Sequence, residues 1–172
     1  MRRSVALFIM CLTVATAGLA QDARLRRLDT GIDAGEWEAV GRLDIGGKGF
    51  CTGALIAPRL VLTAAHCLFD RKTKQRIDHG EVQFLAGWRN GRAGAYRMVR
   101  RAVVHPDYVY DGVVSSERVR NDLALLELDQ PIQNTTIKPF ETAPRPRRGD
   151  RLGVVSYAKT GPKHPRCKKF VA

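Results

Sequence analysis

Short apolar runs recur at regular intervals from Trp37 onward, with glycine, asparagine and aspartate between them. Runs of this length separated by turn residues are typical of antiparallel β-structure, in a barrel or a sandwich. The pattern predicts strands at residues 39–45, 50–57, 59–63, 81–87, 95–104 and 123–128. Residues 88–94, which contain Asn90-Gly91, predict a turn between the fourth and fifth of these strands. Six such strands are enough to close one small barrel, and the fold class we expect is therefore all-β.

The first twenty residues have the three regions of a secretory signal peptide. Met1-Arg2-Arg3 is basic, an apolar run follows, and small residues end at Ala20. The apolar run is too short, and too soon followed by charge, to predict a membrane span. We expect cleavage after Ala20, with Ala17 as the alternative, and no membrane span in the mature protein. The expected location is secreted or periplasmic, where disulfides form.

The cysteines then divide into three groups. Cys11 would leave with the signal peptide, Cys51 and Cys67 make a plausible disulfide pair, and Cys167 is left without a partner. An unpaired cysteine in a secreted chain needs an explanation, and its place in the basic tail from Lys159 onward supplies a candidate.

The charge balance gives little support for a nucleic-acid partner. The formal net charge is +12 and the sequence pI is about 10.1. Much of that excess comes from Arg2 and Arg3 and from the basic residues of the last segment, so the body of the chain is only mildly basic. We expect no specific nucleic-acid binding.

One stretch concentrates the candidate chemistry, Cys51-Thr-Gly-Ala-Leu-Ile-Ala-Pro-Arg-Leu-Val-Leu-Thr-Ala-Ala-His-Cys67. It reads as a strand, a turn, a second strand and a histidine presented beside a cysteine. A positioned His66 could take a proton from a nucleophile near neutral pH. By itself a lone histidine next to a hairpin staple is more often incidental. Thr63-Ala-Ala-His-Cys67, however, closely resembles the general-base segment of the chymotrypsin/trypsin-like serine proteases.

A second segment, Asn121-Asp-Leu-Ala-Leu-Leu-Glu-Leu128, resembles the same family at the position of the acid that orients the histidine. An aspartate that opens an apolar strand can reach inward while the strand anchors it. The resemblance implies that Asp122 is this residue, and residues 108–120 before it read as a polar surface loop. His105, which precedes Pro106 at a strand exit, is an alternative base but is more often structural in such a place.

The resemblance also implies a fold, a trypsin-like double β-barrel of which this chain holds the first barrel and the start of the second. The domain boundaries that follow are 1–20 signal peptide, 21–36 leader or propeptide-like arm, 37–130 first β-barrel with the histidine and the aspartate, 131–149 interdomain connection, 150–158 start of the second barrel, and 159–172 aberrant basic tail.

The family's nucleophile has no counterpart that we can assign. Ser156 follows Asp122 but lies in an apolar run without the Gly-Asp-Ser-Gly-like turn that presents the nucleophile. The expected site is therefore His66 and Asp122 with no nucleophile in this chain, no bound cofactor and no metal. We expect a C-terminally truncated member of the family, of the secreted bacterial type, that is inactive as it stands.

The tail from Lys159 onward has no acidic residue, a lone cysteine, and no strand or helix period. We expect that it does not belong to the ancestral reading frame, and a genuine basic tail is the alternative. DNA beyond the last codon would then encode, in another frame, a glycine-flanked serine.

The sequence is compatible with two functions. The first is a serine endopeptidase that acts on protein or peptide substrates, most simply as a monomer. The alternative is a secreted, non-catalytic module that binds an anionic polymer or a protein partner through basic residues, namely Arg97, Arg100, Arg101, Arg145, Arg147, Arg148 and Arg151. A steep loss of binding with salt, without peptide hydrolysis, would favour the module.

Overall fold

Six antiparallel strands form a closed barrel, and the all-β class expected from the sequence is confirmed. The computed structural model describes residues 26–27, 35–111, 113–157 and 166–171, and for residues 26–27, 151 and 166–171 it describes the backbone alone. The strands are β1 (Arg26–Arg27), β2 (Val40–Ile45), β3 (Gly49–Ala57), β4 (Leu60–Thr63), β5 (Val82–Ala86), β6 (Ala95–Val104), β7 (Ala124–Leu128), β8 (Arg151–Ser156) and β9 (Arg166–Val171). A short helix, α1 (Ser116–Arg120), precedes β7.

The barrel strands follow the order β2-β3-β4-β7-β6-β5, and β5 returns to pair with β2. Leu43 of β2 shows the closure, because it faces Cys51 of β3 on one side and Phe84 of β5 on the other. Closure gives each barrel strand a hydrogen-bonded neighbour on both sides, which removes the exposed edges of an open sheet.

Alternation along the strands fills the barrel with apolar side chains. In β3, Gly53 and Leu55 are buried while Thr52 and Ala54 are only partly buried. Gly53 lets the walls approach closely, because an added Cβ would lie 2.6 Å from Cγ1 of Val61. The largest fully buried side chains include Leu43, Leu55, Leu68, Phe84, Leu126 and Leu128. Each such burial contributes about 1.5–3 kcal/mol relative to an exposed side chain.

The chain enters and leaves the barrel at the same place. The Leu55 amide donates to the carbonyl of Ala39, just before β2, and the Phe140 amide donates to the carbonyl of Leu55, each at 2.9 Å. The rings of Trp37 and Phe140 lie 6.1 Å apart between centroids. The connection after β7 therefore begins as part of the barrel wall, and its Ile137 is buried in the core.

The turn expected at Asn90-Gly91 is confirmed. Arg89 and Arg92 exchange two backbone hydrogen bonds of 2.7 and 2.9 Å across it. Both central residues have positive φ, 52° at Asn90 and 81° at Gly91. This is the backbone conformation that asparagine and glycine adopt most readily in a two-residue hairpin.

The expectation of a polar loop at residues 108–120 is wrong in part. It contains α1, whose first turn is capped by the Ser115 hydroxyl, which accepts from the Arg118 amide at 3.1 Å. It also exposes the apolar side chains of Val109 and Val114. A helix of five residues is too short to show a hydrophobic period, so the capping serine was its one local signal in the sequence.

Three strands outside the barrel form a separate sheet in the order β1-β9-β8. β8 lies where the start of a second barrel was expected, and its Val155 faces Cys167 of β9. The tail pattern predicts no strand, and β9 contradicts that expectation, because pairing with β8 supplies hydrogen bonds that no sequence period reveals. Whether the tail comes from another reading frame stays a prediction.

The expected signal peptide, Cys11 and most of the leader lie outside the described residues, as does the side chain of Cys167. Within the part that the structure describes, no helix is both long enough and apolar enough to cross a membrane.

Candidate active site

His66 lies in a 3-10 turn, Ala65–Leu68, that directly follows β4. Its neighbours fix the turn, since Ala65 and Leu68 are buried in the core. A disulfide joins Cys67 to Cys51 of β3, and the two Cα atoms are 6.1 Å apart. Anchors on both sides of His66 leave its imidazole at the barrel surface, where the side chain is 43% exposed.

Asp122 reaches the same place from the strand that neighbours β4. β4 pairs with β7, and Thr63 lies opposite Ala124 at the end of the ladder. His66 follows Thr63 and Asp122 precedes Ala124, so the antiparallel register brings two residues that are 56 positions apart to one end of the barrel.

The Asp122 carboxylate accepts two hydrogen bonds from His66. One oxygen lies 2.6 Å from the ring Nδ1, and the other accepts from the His66 backbone amide at 2.8 Å. An ionised carboxylate only accepts, so Nδ1 carries the proton and Nε2 holds the free lone pair. Asp122 thus fixes the tautomer, the ring orientation and the main chain of the histidine, and a proton accepted at Nε2 would be stabilised by the carboxylate.

Tyrosine and arginine side chains hold the loop that leads to Asp122. Tyr108 is buried and lies near Phe69 and Tyr110, and the Phe69 and Tyr110 rings stack 5.1 Å apart. The Arg118 guanidinium lies 4.7 Å from the Tyr110 ring, and its Nε donates to the Tyr108 oxygen at 3.4 Å. Burial raises the pKa of Tyr108. The phenol therefore stays neutral beside Asp122 at physiological pH.

A series of hydrogen bonds that the sequence did not suggest connects the strand before His66 to the segment after β8. The buried Thr63 hydroxyl donates to the Thr52 carbonyl at 2.8 Å. The Thr52 hydroxyl accepts from the Tyr157 amide at 2.9 Å, and the Tyr157 hydroxyl donates to the Trp88 carbonyl at 2.8 Å. Tyr157 lies 105 positions from Thr52, so no local pattern could have paired them.

The other sequence candidates are held elsewhere. His105 donates its backbone amide to the Leu123 carbonyl, and its Nδ1 accepts from the Asp107 amide at 3.3 Å, as a structural histidine does. Ser156 is a β8 residue that faces Arg166. Among the described residues, no hydrogen bond joins Ser156 to His66.

A groove of about 670 Å³ opens beside His66. Its walls include Phe50, Phe69, the Cys51–Cys67 disulfide and the charged loop 70–78. The two sulfur atoms and the imidazole lie close enough to suggest a metal site. Since both sulfur atoms belong to the disulfide, neither offers the thiolate that binds a metal. A molecule bound in this groove would contact the imidazole. The groove is enclosed by protein on one side and open to solvent on the other.

Three of the arginines considered for anion binding are already engaged. Arg97 donates to the Pro131 carbonyl at 3.2 and 3.3 Å. Arg100 and Arg101 both pair with Glu127, at 3.2 and 3.0 Å. The side chains of Arg145, Arg147 and Arg148 are exposed, and that of Arg151 lies outside the described residues. Arg97, Arg100 and Arg101 therefore already have partners on the barrel, whereas Arg145, Arg147 and Arg148 stay candidates for binding an anion.

Comparison with known proteins identifies relatives over much of the chain. Kallikrein 1-related peptidase b27 of Mus musculus is 31% identical over 116 residues, which are 64% of this chain and 42% of the relative. The suppressor of tumorigenicity 14 protein homolog of Bos taurus is 31% identical over 118 residues, 63% of this chain and 13% of the relative. The chain thus spans less than half the length of either. Both come from mammals, and the expected bacterial type has no support from them.

A solved structure has the same fold. The scabies mite inactivated protease paralogue S-D1 superposes with a TM-score of 0.61 at 15% identity, over 80% of this chain and 58% of that one. At such identity the likeness concerns the fold alone. The family model for trypsin matches residues 30–166, more than half of the chain. This chain belongs to the trypsin family.

Proposed function

We propose that this chain carries the general-base half of a trypsin-like serine endopeptidase that acts outside the cytoplasm on protein or peptide substrates. One observation carries the proposal: Asp122 accepts hydrogen bonds from both the ring and the backbone of His66, which leaves Nε2 free at the barrel surface. The signal-like residues 1–20 and the Cys51–Cys67 disulfide support an exported protein.

In this function His66 acts first as base and then as acid. Nε2 takes the proton of a serine hydroxyl as its oxygen attacks the scissile carbonyl, and later gives that proton to the leaving amine. Asp122 stays ionised throughout and stabilises the imidazolium. The groove beside the disulfide would receive part of the peptide. We assign no serine of this chain as the nucleophile.

The first test uses the purified chain alone with a peptide substrate, an ester substrate and a serine-directed fluorophosphonate probe. We expect no hydrolysis and no labelling, because a histidine and an aspartate without nucleophile or oxyanion donors leave little catalysis. A burst of released acyl leaving group would place the nucleophile in this chain. Ser156→Ala, compared with Ser116→Ala as the matched control, would then identify it.

The second test uses a chimera with a relative. A chimera joins residues 35–157 to the corresponding C-terminal part of a kallikrein-related relative. We expect peptide hydrolysis that His66→Ala abolishes and that Asp122→Asn lowers by about ten thousandfold, because asparagine at this position of a catalytic triad favours the wrong histidine tautomer. A folded chimera that is as active with His66→Ala as without it contradicts the proposal. Salt-sensitive binding of an anionic polymer by the chain, with no hydrolysis by the chimera, would favour the non-catalytic module.

A further inference from the structure

Thr52 makes two hydrogen bonds that point to two different parts of the molecule. Its hydroxyl accepts from the amide of Tyr157, just after β8, and its carbonyl accepts from the hydroxyl of Thr63, three residues before His66. It also follows Cys51, whose disulfide partner is the residue after His66. Thr52 is therefore bonded or adjacent to both flanks of the histidine turn and to the segment outside the barrel.

Tyr157 is seated on the barrel at a second point. Its hydroxyl donates to the Trp88 carbonyl at 2.8 Å, and its ring meets that of Trp88 edge-on at 5.8 Å between centroids. Burial raises the pKa of the Tyr157 phenol, with the nearby Glu38 carboxylate adding to the shift. The phenol is thus held neutral and can keep donating.

Arg42 and two aromatic side chains pack together next to Thr52 and Tyr157. Arg42 lies opposite Thr52 across the β2–β3 ladder. Its guanidinium lies 4.5 Å from the Phe50 ring and 4.9 Å from the Trp88 ring, and it pairs with Asp44 at 3.1 Å. Tyr157 thus packs against a Trp88 ring that cation–π contact links to Arg42 of β2.

Thr52 pairs with Arg42 of β2 on one side, but on the other side it lies past the end of the backbone pairing with β4. The last β3–β4 pair toward His66 is Ala54 with Leu62, so Thr52 lies beyond that ladder. The Thr63 hydroxyl replaces the missing ladder bond. A shift of Thr52 would consequently move Thr63, and with it the start of the turn that holds the imidazole.

We propose that Thr52 is a positioning residue for His66, because its hydroxyl couples the docking of the segment 151–157 to the turn that presents the imidazole. The inference rests on the proposed function only in treating His66 as the base. While Tyr157 is docked, Thr52 holds Thr63 and the Nδ1–Asp122 bond is formed. When Tyr157 leaves, this end of the β3–β4 hairpin loosens and the imidazole samples its other tautomer.

The experiment uses the full chain with ¹⁵N-labelled histidine, and long-range ¹H–¹⁵N correlation reports which ring nitrogen of His66 carries the proton. Thr52→Val keeps the shape and the backbone carbonyl but removes the hydroxyl. We expect it to lower the ratio of the Nδ1–H to the Nε2–H tautomer roughly threefold to tenfold, the range that one hydrogen bond of ordinary strength allows. Thr52→Ser should restore the wild-type ratio.

Thr136→Val is the matched control, since Thr136 is exposed and its hydroxyl bonds to Asn134 outside this chain of contacts. It should leave the His66 signals unchanged. A Thr52→Val protein that melts earlier but keeps the wild-type tautomer ratio overturns the proposal, because Thr52 would then be merely structural.

A second measurement covers the case in which Thr52→Val does not fold. In the wild-type chain, hydrogen exchange at the Tyr157 amide and loss of the His66 Nδ1–H signal should show the same dependence on added urea. Independent dependences contradict the coupling. Neither readout requires hydrolysis, so this result and the outcome of the chimera are separable.

Discussion

The barrel and the three-stranded sheet are both built from antiparallel strands, but they complete their hydrogen bonding differently. Each barrel strand has two neighbours, and the inward side chains, such as Phe84 and Leu126, are fully buried. In the sheet β1-β9-β8, β9 is the one partner that the described residues give β8, and Leu152 and Val154 of β8 are 39% and 45% exposed. The His66–Asp122 pair lies on the region with the denser packing. The difference indicates that the site's geometry comes from the barrel, and Tyr157, just after β8, bonds to Thr52 near that site.

The largest contrast is expected from side-chain truncation in the two regions. Leu126→Ala in the barrel should lower the free energy of unfolding by about 2–5 kcal/mol, because it removes a fully buried side chain and leaves a cavity. Val154→Ala in the sheet should change it by less than about 0.5 kcal/mol. Urea titrations monitored by tryptophan fluorescence compare the two. Equal losses would show that the sheet is packed as tightly as the barrel.

Loss of the disulfide should have the second largest effect on stability. Replacing both Cys51 and Cys67 by serine opens a loop with a separation of 16 residues. On the chain-entropy model this costs about 3 kcal/mol of barrel stability. Thermal melts of the double variant measure the loss, and Cys167→Ser serves as the control. Peptide mapping of exported protein that finds both thiols free would remove the basis for this prediction.

Alkaline pH should act on the link between the two regions. The pKa of Tyr157 is raised in the folded protein, above the ordinary value of 10.0. The contribution of this phenol to stability is therefore complete below about pH 10 and is lost as the pH rises through the folded value. Near-UV circular dichroism of wild type and Tyr157→Phe, titrated upward from neutral pH, isolates it. A wild-type curve as shallow as that of Tyr157→Phe would contradict the assignment.

The smallest effect is expected at the rim of the barrel, where Glu127 pairs with Arg100 and Arg101. These arginine side chains are 62% and 71% exposed, so solvent screens both pairs. Glu127→Gln should cost at most about 1 kcal/mol, and the cost should shrink in high salt. Melts at low and high ionic strength test this. A large, salt-independent loss would indicate that Glu127 has a buried role that the ion pairs do not explain.

The barrel strands were predictable because each one is encoded by residues that are close together in the sequence. Alternation and turn residues placed all six strands to within a residue or two, and Asn90-Gly91 predicted its turn correctly. The strand β9 was missed because its order comes from pairing with β8 and β1, and neither pairing leaves a period in the sequence of β9 itself. Tyr157 was missed because its partners Thr52 and Trp88 belong to distant segments, and a tyrosine after an apolar run announces neither of them.

The site shows the same division. A motif resemblance singled out His66 and Asp122, and the register of β4 with β7 explains physically why residues so far apart in sequence meet. The bond from the His66 backbone amide to Asp122 had no sequence signal, because any residue other than proline has an amide to offer. The catalytic roles of the two side chains remain proposals that the chimera tests.

The meeting of Ala39 and Phe140 at Leu55 gives the barrel a particular topology. The path of the chain through the six strands is a loop whose two ends are neighbours, so a short linker could join them and new ends could be opened at the Asn90-Gly91 turn. Such a circular permutant of the barrel would preserve every pairing among its six strands, including the β4–β7 register that unites His66 with Asp122. For this architecture, the order in which the strands are translated is separable from the order in which they pair.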